Sequence, residues 1–378
     1  MLQNKIFQNY VKNIIKTFFT FLLGFSLLAL TVRSVNFLDL IVDSGYAITT
    51  YFKFSLLNIF GILPKFIPLS FLLALIFFII RRKEDNEFLV LWTSGVNKIK
   101  ITNLFFLASV FVLIFYLIMS TFITPYALNK SRESLKKENF NSFLPTIRSQ
   151  QFSDSYKGFT FFVERKINDK IKNIFLHDTG NNLKNLTSNS SDINEIIIFA
   201  QDGLVKERNL FLLNGNIISS KNDLESEIVK FEQLQVNLEN LSTTTIKAQK
   251  IQETPTIKLL SCFFDKNINK NYCNDNFKKE IISSLNRRIT IPFYLPLLSL
   301  LCSILLISST KIYFNNKIIY VFCFLILLFT ELIVRYTGLN NFVNTLFILL
   351  PFGLIIFIYS FLILKFSNEL KKNEQNFI

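Results

Sequence analysis

Apolar residues gather in six runs near the two ends of the chain: Ile14–Val32, Leu56–Ile80, Ile101–Ile123, Ile289–Ser309, Ile318–Tyr336 and Thr345–Phe366. Runs of about 20 residues are long enough to cross the ~30 Å hydrocarbon layer as helices. Residues 124–288 between them read as an ordinary water-exposed domain. The pattern predicts a polytopic α-helical membrane protein of six spans with an inserted β-domain, divided as 1–123, 124–288 and 289–378. Lys5, Lys12 and Lys16 precede the first run, as in a signal peptide. That run is long for a cleaved segment and lacks a small-x-small site, so a retained helix is expected.

Local signals refine the outline. Pro64 and Pro68 lie near the start of the second run and predict a kink there. Thr124-Pro125 is expected to end the third run, with a helix over 125–145 leading into the insert. Strand patterns cover Phe159–Glu164, Ile171–His177, Glu195–Gln201, Leu204–Leu213 and Glu227–Leu238. Asn214-Gly215 reads as a hairpin turn, because a type I′ turn needs positive φ at both central residues. Short strands spaced by polar turns point to a β-sandwich or jelly roll.

The formal net charge of +14 invites a nucleic-acid reading, which its distribution excludes. Thr124–Glu280 carries 22 Lys/Arg against 19 Asp/Glu, so only +3 falls there and +11 lies in the spans and their flanks. A nucleic-acid binder concentrates its charge on a soluble surface. Among short loops, Arg81, Arg82, Lys83, Lys98 and Lys100 crowd the 81–100 loop, whereas 33–55 and 337–344 hold only Arg33 and Lys53. Lys/Arg mark the cytoplasmic side. Both termini are therefore expected in the cytoplasm and the insert outside an inner membrane.

Cys302 and Cys323 fall in apolar runs and read as small hydrophobes, while Cys262 and Cys273 could pair if the insert faces an oxidising compartment. The single His177 excludes a multi-histidine metal site. No phosphate-loop pattern, H-E-x-x-H or C-x-x-C occurs, so no catalytic residues, metal or cofactor are expected. Any ATP hydrolysis must come from another subunit.

The 81–100 loop carries the most chemistry. Glu87 to Ser94 places Phe88, Leu91 and Trp92 at helical spacing, and Gly95 is a C-terminal stop. A short amphipathic helix over about 84–95 is predicted, either lying on lipid headgroups or docking a cytoplasmic partner. Ionisable groups at membrane depth are the other candidates, being costly in hydrocarbon. Glu331 and Arg335 stand four apart on the fifth run and can pair, as a structural bridge or near a lipid phosphate. Arg33 at the end of the first run, and more weakly Lys53, fit phosphate recognition or simple snorkelling.

Arg81, Asp85, Glu87 and Gly95, with Asn97 where Ser or Thr is usual, resemble the loop of the LptF/LptG permeases of lipopolysaccharide export. Leu63-Pro64 to Pro68-Leu69, Thr124-Pro125 and Leu285-Asn286-Arg287-Arg288 resemble that family's second span, third-span exit and fourth-span start, with Asn286 replacing a His. Phe37 to Val42 resembles the LptF branch. The resemblance spans nearly the whole chain. It implies a permease paired with a paralogous subunit on two copies of a cytoplasmic ATPase. It also implies that lipopolysaccharide passes through a periplasmic jelly-roll domain to a jelly-roll bridge protein. Glu87, flanked by Arg81, Arg82, Phe88, Leu91, Trp92 and Gly95, then matches the ATPase-coupling helix. Arg33, Arg335, Glu331 and Lys53 become candidates for the substrate entrance. A membrane sensor or an envelope scaffold with a β ligand-binding domain is the alternative.

Overall fold

Six helices are long and apolar enough to span a bilayer: Lys5–Asn36, Ile48–Glu84, Lys98–Leu135, Lys278–Leu306, Ile318–Tyr336 and Asn341–Ser367. The computed structural model describes residues 2–38, 41, 47–138, 149–156, 158–167, 170–179, 183, 193–206, 209–221, 225–237, 250–264, 275–307 and 313–375. Parts of two expected features, at 39–40, 42 and 139–145, lie outside these residues, as does Cys273. Helix α1 is Leu2–Asn36, α2 Ile48–Glu84, α3 Glu87–Thr93, α4 Lys98–Ile118 and α5 Thr124–Glu138. After the strands come α6 (Thr256–Phe264), α7 (Asp275–Leu285), α8 (Tyr294–Ser303), α9 (Tyr313–Tyr336) and α10 (Asn341–Gln375).

The chain divides into two compact units, one holding 1–31, 58–129 and 249–378, the other 32–57 and 130–248. The fourth span is the centre of the first unit. Of its apolar window 83% is buried, against 22% for the first, fifth and sixth spans. Ser109 and Ser299 touch through their hydroxyls at 3.3 Å, a small-residue contact that lets the third and fourth spans approach closely. Cys302 and Cys323 are buried free thiols in this core, and Cys262 is disulfide-bonded.

Prolines explain how these helices are tied together. A proline removes one intrahelical donor and leaves a carbonyl one turn earlier without its bond. In hydrocarbon that carbonyl must find another donor. Pro64 frees the Phe60 carbonyl, and the Thr124 hydroxyl donates to it at 2.7 Å. Pro351 frees the Phe347 carbonyl, and the Tyr294 hydroxyl donates to it at 2.9 Å. Pro125 and Pro292 each follow a π turn, over Met119–Ile123 and Asn286–Thr290. Ahead of them, the Thr121 carbonyl accepts from Thr256 at 2.9 Å and the Arg288 carbonyl from Ser120 at 2.9 Å. Every one of these donors belongs to a different helix.

This supply of donors keeps the helices continuous and corrects one expectation. Helix α2 runs on through Pro64 and Pro68 as one helical element. The third span does not stop at Thr124-Pro125 but continues helically to Leu135, because Thr256 satisfies the carbonyl exposed there.

In the second unit, β1 (Phe152–Tyr156), β2 (Phe159–Ile167), β3 (Lys170–Asp178), β4 (Ile193–Lys206), β5 (Asn209–Lys221) and β6 (Glu225–Asn237) form one antiparallel sheet in chain order. The jelly-roll-like domain expected of the insert takes the form of this six-stranded meander. Phe159, Phe161, Val163, Leu176, Ile198 and Leu212 are among its buried face, whose described members are strand residues and Leu183.

The sheet is creased across its strands. Along a line through Glu164, Asn173, Gln201, Asn214 and Glu232 the register is kept but the ladder pairing lapses. Across it the inward positions change parity: Ile171 and Ile174, Ala200 and Val205, and Leu212 and Ile217 are all buried at odd separations. Asn173 and Asn214 hold positive φ of 51° and 50° on this crease. Asn214-Gly215 therefore lies inside β5 and makes no hairpin turn, correcting the sequence reading. The left-handed backbone that Asn tolerates creases the sheet instead. Gly215 is required beside it, since a Cβ there would sit 2.1 Å from the Phe199 carbonyl oxygen. The expected break between Gln201 and Leu204 is likewise absent, β4 being continuous to Lys206.

The proline account is tested by a double-mutant cycle on unfolding of the reconstituted chain. Tyr294→Phe should cost about 1 kcal/mol, the usual scale of an interhelical hydrogen bond. In a Pro351→Ala background, which restores an intrahelical donor to the Phe347 carbonyl, the same change should cost far less. Equal costs in both backgrounds would remove the coupling.

Candidate functional site

Helix α3 is built by its ends. Asn86, with φ 55°, turns the chain out of α2, and its carbonyl accepts the first bond of α3 from the Val90 amide. At the other end the Gly95 amide donates to the Trp92 carbonyl and the Val96 amide to the Leu91 carbonyl. That pair of bonds is a Schellman stop, and Gly95 supplies its positive φ of 81°. Asn97 then caps α4, its side chain accepting from the Ile99 amide at 3.0 Å. An Asn performs there the capping that Ser or Thr also performs.

The helix is pinned to two spans through one carboxylate. Glu87 accepts a hydrogen bond from the Tyr10 hydroxyl at 2.9 Å and forms an ion pair with Arg82. The Arg82 guanidinium lies over the rings of Tyr10, 5.3 Å, and Phe78, 5.5 Å. Phe88 and Leu91 are buried in the same core as the spans, with Trp92 packed partly against it. Trp92 stacks on Phe88, and the Lys98 ammonium sits over Trp92 and over Phe366 of α10. Leu89 and Val90 face outward, 61% and 63% exposed.

Phe88 and Leu91, which the sequence offered either to lipid headgroups or to a partner, thus look into their own chain. Apolar residues at three-four spacing are the core-facing stripe of a helix. Leu89 and Val90, two apolar residues off that stripe, are the outward pair that sequence reasoning passed over. Glu87 is one-third exposed at its side chain, Arg82 less, and Arg81 is exposed.

The membrane-depth charges are arranged differently from the sequence expectation. Glu331 pairs with Arg287, at 2.7 Å, and not with Arg335. The half-buried Arg287 has a buried Nε without a hydrogen-bond partner, and the Glu331 carboxylate meets the other end of its guanidinium. Arg335 is exposed and makes no ion pair among the described residues. In the other unit, Arg33 lies in the last turn of α1 with its guanidinium 5.8 Å from the Phe37 ring centroid, and Lys53 is exposed.

One polar centre was marked in the sequence only by resemblance, as the start of the fourth span, with no role given to its side chains. Arg288 is 6% exposed and donates to the carbonyls of Ile251, Gln252 and Thr254 and to the Thr256 hydroxyl, at 2.8–3.1 Å. Beside it the Asn286 amide donates to Asn344 at 2.6 Å and accepts from Thr290 at 3.1 Å. The start of the fourth span thereby holds the third, fifth and sixth spans and the segment returning from the sheet. The signal was the charge pair Arg287-Arg288 at the edge of an apolar run, which ordinary snorkelling also explains.

Five apolar helices with a buried fourth span among them, and a β-domain inserted between the third and fourth, define a multi-pass membrane protein. Residues 10–365 match the profile of the lipopolysaccharide export system permeases LptF/LptG, and the chain belongs to that family. It is also 25% identical over 273 residues to the uncharacterized protein RP871 of Rickettsia prowazekii (strain Madrid E), covering 68% of this chain and 70% of that protein. The family consists of transport permeases that are components of the Lpt complex.

Loss of the Tyr10–Glu87 bond should loosen α3 without unfolding the spans. In Tyr10→Phe, exchange of the Ser94 and Val96 amides should quicken about fivefold, the equivalent of ~1 kcal/mol. Unchanged exchange would show that α3 is held by its apolar face alone.

Proposed function

We propose that this chain is one permease subunit of an ATP-driven lipopolysaccharide exporter in the inner membrane, with α3 as the surface on which a separate ATPase docks. The observation that carries the docking assignment is the construction of α3. It is fixed to α1 and α2 through Glu87, Tyr10 and Arg82 while Leu89 and Val90 face outward. A helix held this firmly passes a push on its outer face to the spans, and two exposed apolar side chains suit a groove in a partner.

In this reading α3 and both termini lie in the cytoplasm and the sheet in the periplasm, an orientation that the Lys/Arg bias of the short loops supports. The disulfide at Cys262 supports that side, since such bonds persist in oxidising compartments. Family membership supports a paralogous permease partner and a periplasmic jelly-roll bridge that receives the lipid. The LptF-like Phe37 stretch favours LptF for this chain. In this reading Arg33 and Arg335, each in the last turn of its span, meet lipid phosphates, for which the guanidinium fork is suited.

Two measurements carry the reading. A cysteine at Lys230, exposed on β6, should react with an impermeant thiol reagent from outside, and one at Asp85 should not. With that topology in place, Val90→Asp should weaken ATPase co-purification at least about tenfold, ~1.4 kcal/mol, with insertion unchanged. The reverse labelling pattern, or normal association in Val90→Asp and Glu87→Arg together, would make α3 a passive surface helix and favour a sensor or scaffold.

The arginines are tested separately. Arg33→Glu and Arg335→Glu should each lower photo-crosslinking of lipopolysaccharide to the helix concerned while leaving ATPase association intact. Unchanged crosslinking in both variants would reduce them to interface anchors.

A further inference from the structure

Beside α3, a cavity of about 460 Å³ opens between α1 and α2. Its charged lining is Lys16, Arg81 and Arg82, and no carboxylate lines it among the described residues. Asn13, Thr17 and Thr20 add to its lining, the two threonine hydroxyls donating to the Asn13 and Lys16 carbonyls, and Phe21 and Phe77 supply an apolar wall. Lys16 and Arg81 make no ion pair among the described residues, and Arg82 gives one edge of its guanidinium to Glu87. Three cations converge at the level where the apolar run of α2 gives way to Arg81-Arg82-Lys83, the depth of lipid headgroups. A second cavity on the other side of α1, about 710 Å³, repeats the design. Phe7, Val11, Ile15 and Leu107 line it beneath Lys12 and Lys100.

We propose that the Lys16–Arg81–Arg82 cavity seats a phosphate group, that of an anionic glycerophospholipid from the leaflet on the side of α3. A phosphodiester supplies the acceptor oxygens that converging guanidinium and ammonium donors lack. Basic pockets between membrane helices recognise anionic headgroups in this way. The acyl chains need no dedicated groove, because α1 and α2 meet the bilayer beside the cavity with exposed Leu23, Leu27 and Phe77. Arg82 would then bridge the lipid phosphate and Glu87, so the bound lipid would brace the base of α3. Only a bilayer is required for this, whatever lipid is exported.

The test is native mass spectrometry of the full chain, released from detergent micelles containing equal phosphatidylglycerol and phosphatidylcholine. The parent should retain phosphatidylglycerol preferentially, and Lys16→Gln combined with Arg81→Gln should lower that preference about tenfold or more. Both substituted residues are exposed, and unchanged circular dichroism will verify that the variant is folded. Lys172→Gln, an exposed charge on β3, should leave retention as in the parent. Equal retention of the two lipids, or undiminished preference in the double variant, would overturn the site. Displacement of the lipid by millimolar inorganic phosphate would overturn its lipid nature and assign the cavity to free phosphate. Failure of lipopolysaccharide crosslinking or ATPase association would leave these results untouched.

Discussion

A backbone carbonyl inside hydrocarbon has no water to turn to, and this constraint organises the helical unit more than any apolar contact does. Lipid tails cover Leu and Phe as well as a neighbouring helix can, so apolar area alone gives helices little reason to choose one another. A carbonyl freed by proline has a much narrower choice. Here Thr124, Thr256, Ser120 and Tyr294 each reach across to such a carbonyl on a different helix. Each contact fixes a partner, a depth and a rotation together. The prolines that would be defects in an isolated helix are the points at which this bundle is registered.

The same logic governs the polar centre at the start of the fourth span. Among the described residues Arg288 is buried without a carboxylate partner, and it donates to four neutral oxygens. Removing one partner from such a cage leaves a buried cation short of an acceptor, which is costly. The segment over 251–256 is therefore held to the fourth span by a demand it cannot easily escape. Because that segment leads back from the residues of the sheet, the chain re-enters its helical unit at a fixed point. The π turn over Asn286–Thr290 helps make this possible, placing Asn286 and Arg288 both in buried positions while Arg287 reaches Glu331.

The six spans were legible in the sequence because one property, apolar run length, decides them. The presence of strands was legible for a similar reason, through alternation. What escaped depends on which of two physical uses a residue serves. Asn-Gly signals positive φ, and positive φ makes a hairpin turn in one setting and a crease within a long strand in another. The choice at Asn214 is settled by the aligned crease at Asn173 and Gln201 on neighbouring strands, which no local window contains. Thr124-Pro125 signals a helix end, but the signal is cancelled by a hydroxyl supplied from residue 256. In α3 the spacing of Phe88, Leu91 and Trp92 marked the helix correctly. It did not tell which apolar residues face the chain and which face away, because the protein's own core and a partner's groove attract the same side chains.

The outward faces of the helical unit follow a different rule from the outward face of α3. Along the fifth span Ile318, Val321, Phe322, Leu325, Leu328, Phe329 and Leu332 form a continuous exposed stripe. In water a stripe of that length would demand a protein partner, yet in a bilayer acyl chains satisfy it. Apolar exposure there does not by itself call for a protein partner. Leu89 and Val90 lie beyond the end of α2, in a segment whose neighbours are charged, so acyl chains cannot be relied on to cover them. Arg335 carries the converse argument. It stands exposed one turn beyond that apolar stripe, where an unpaired guanidinium is costly unless an anion or a polar partner reaches it. A partner's apolar groove is the fitting complement for α3, and a phosphate or a carboxylate for the end of the fifth span. The two surfaces thus ask for different chemistry.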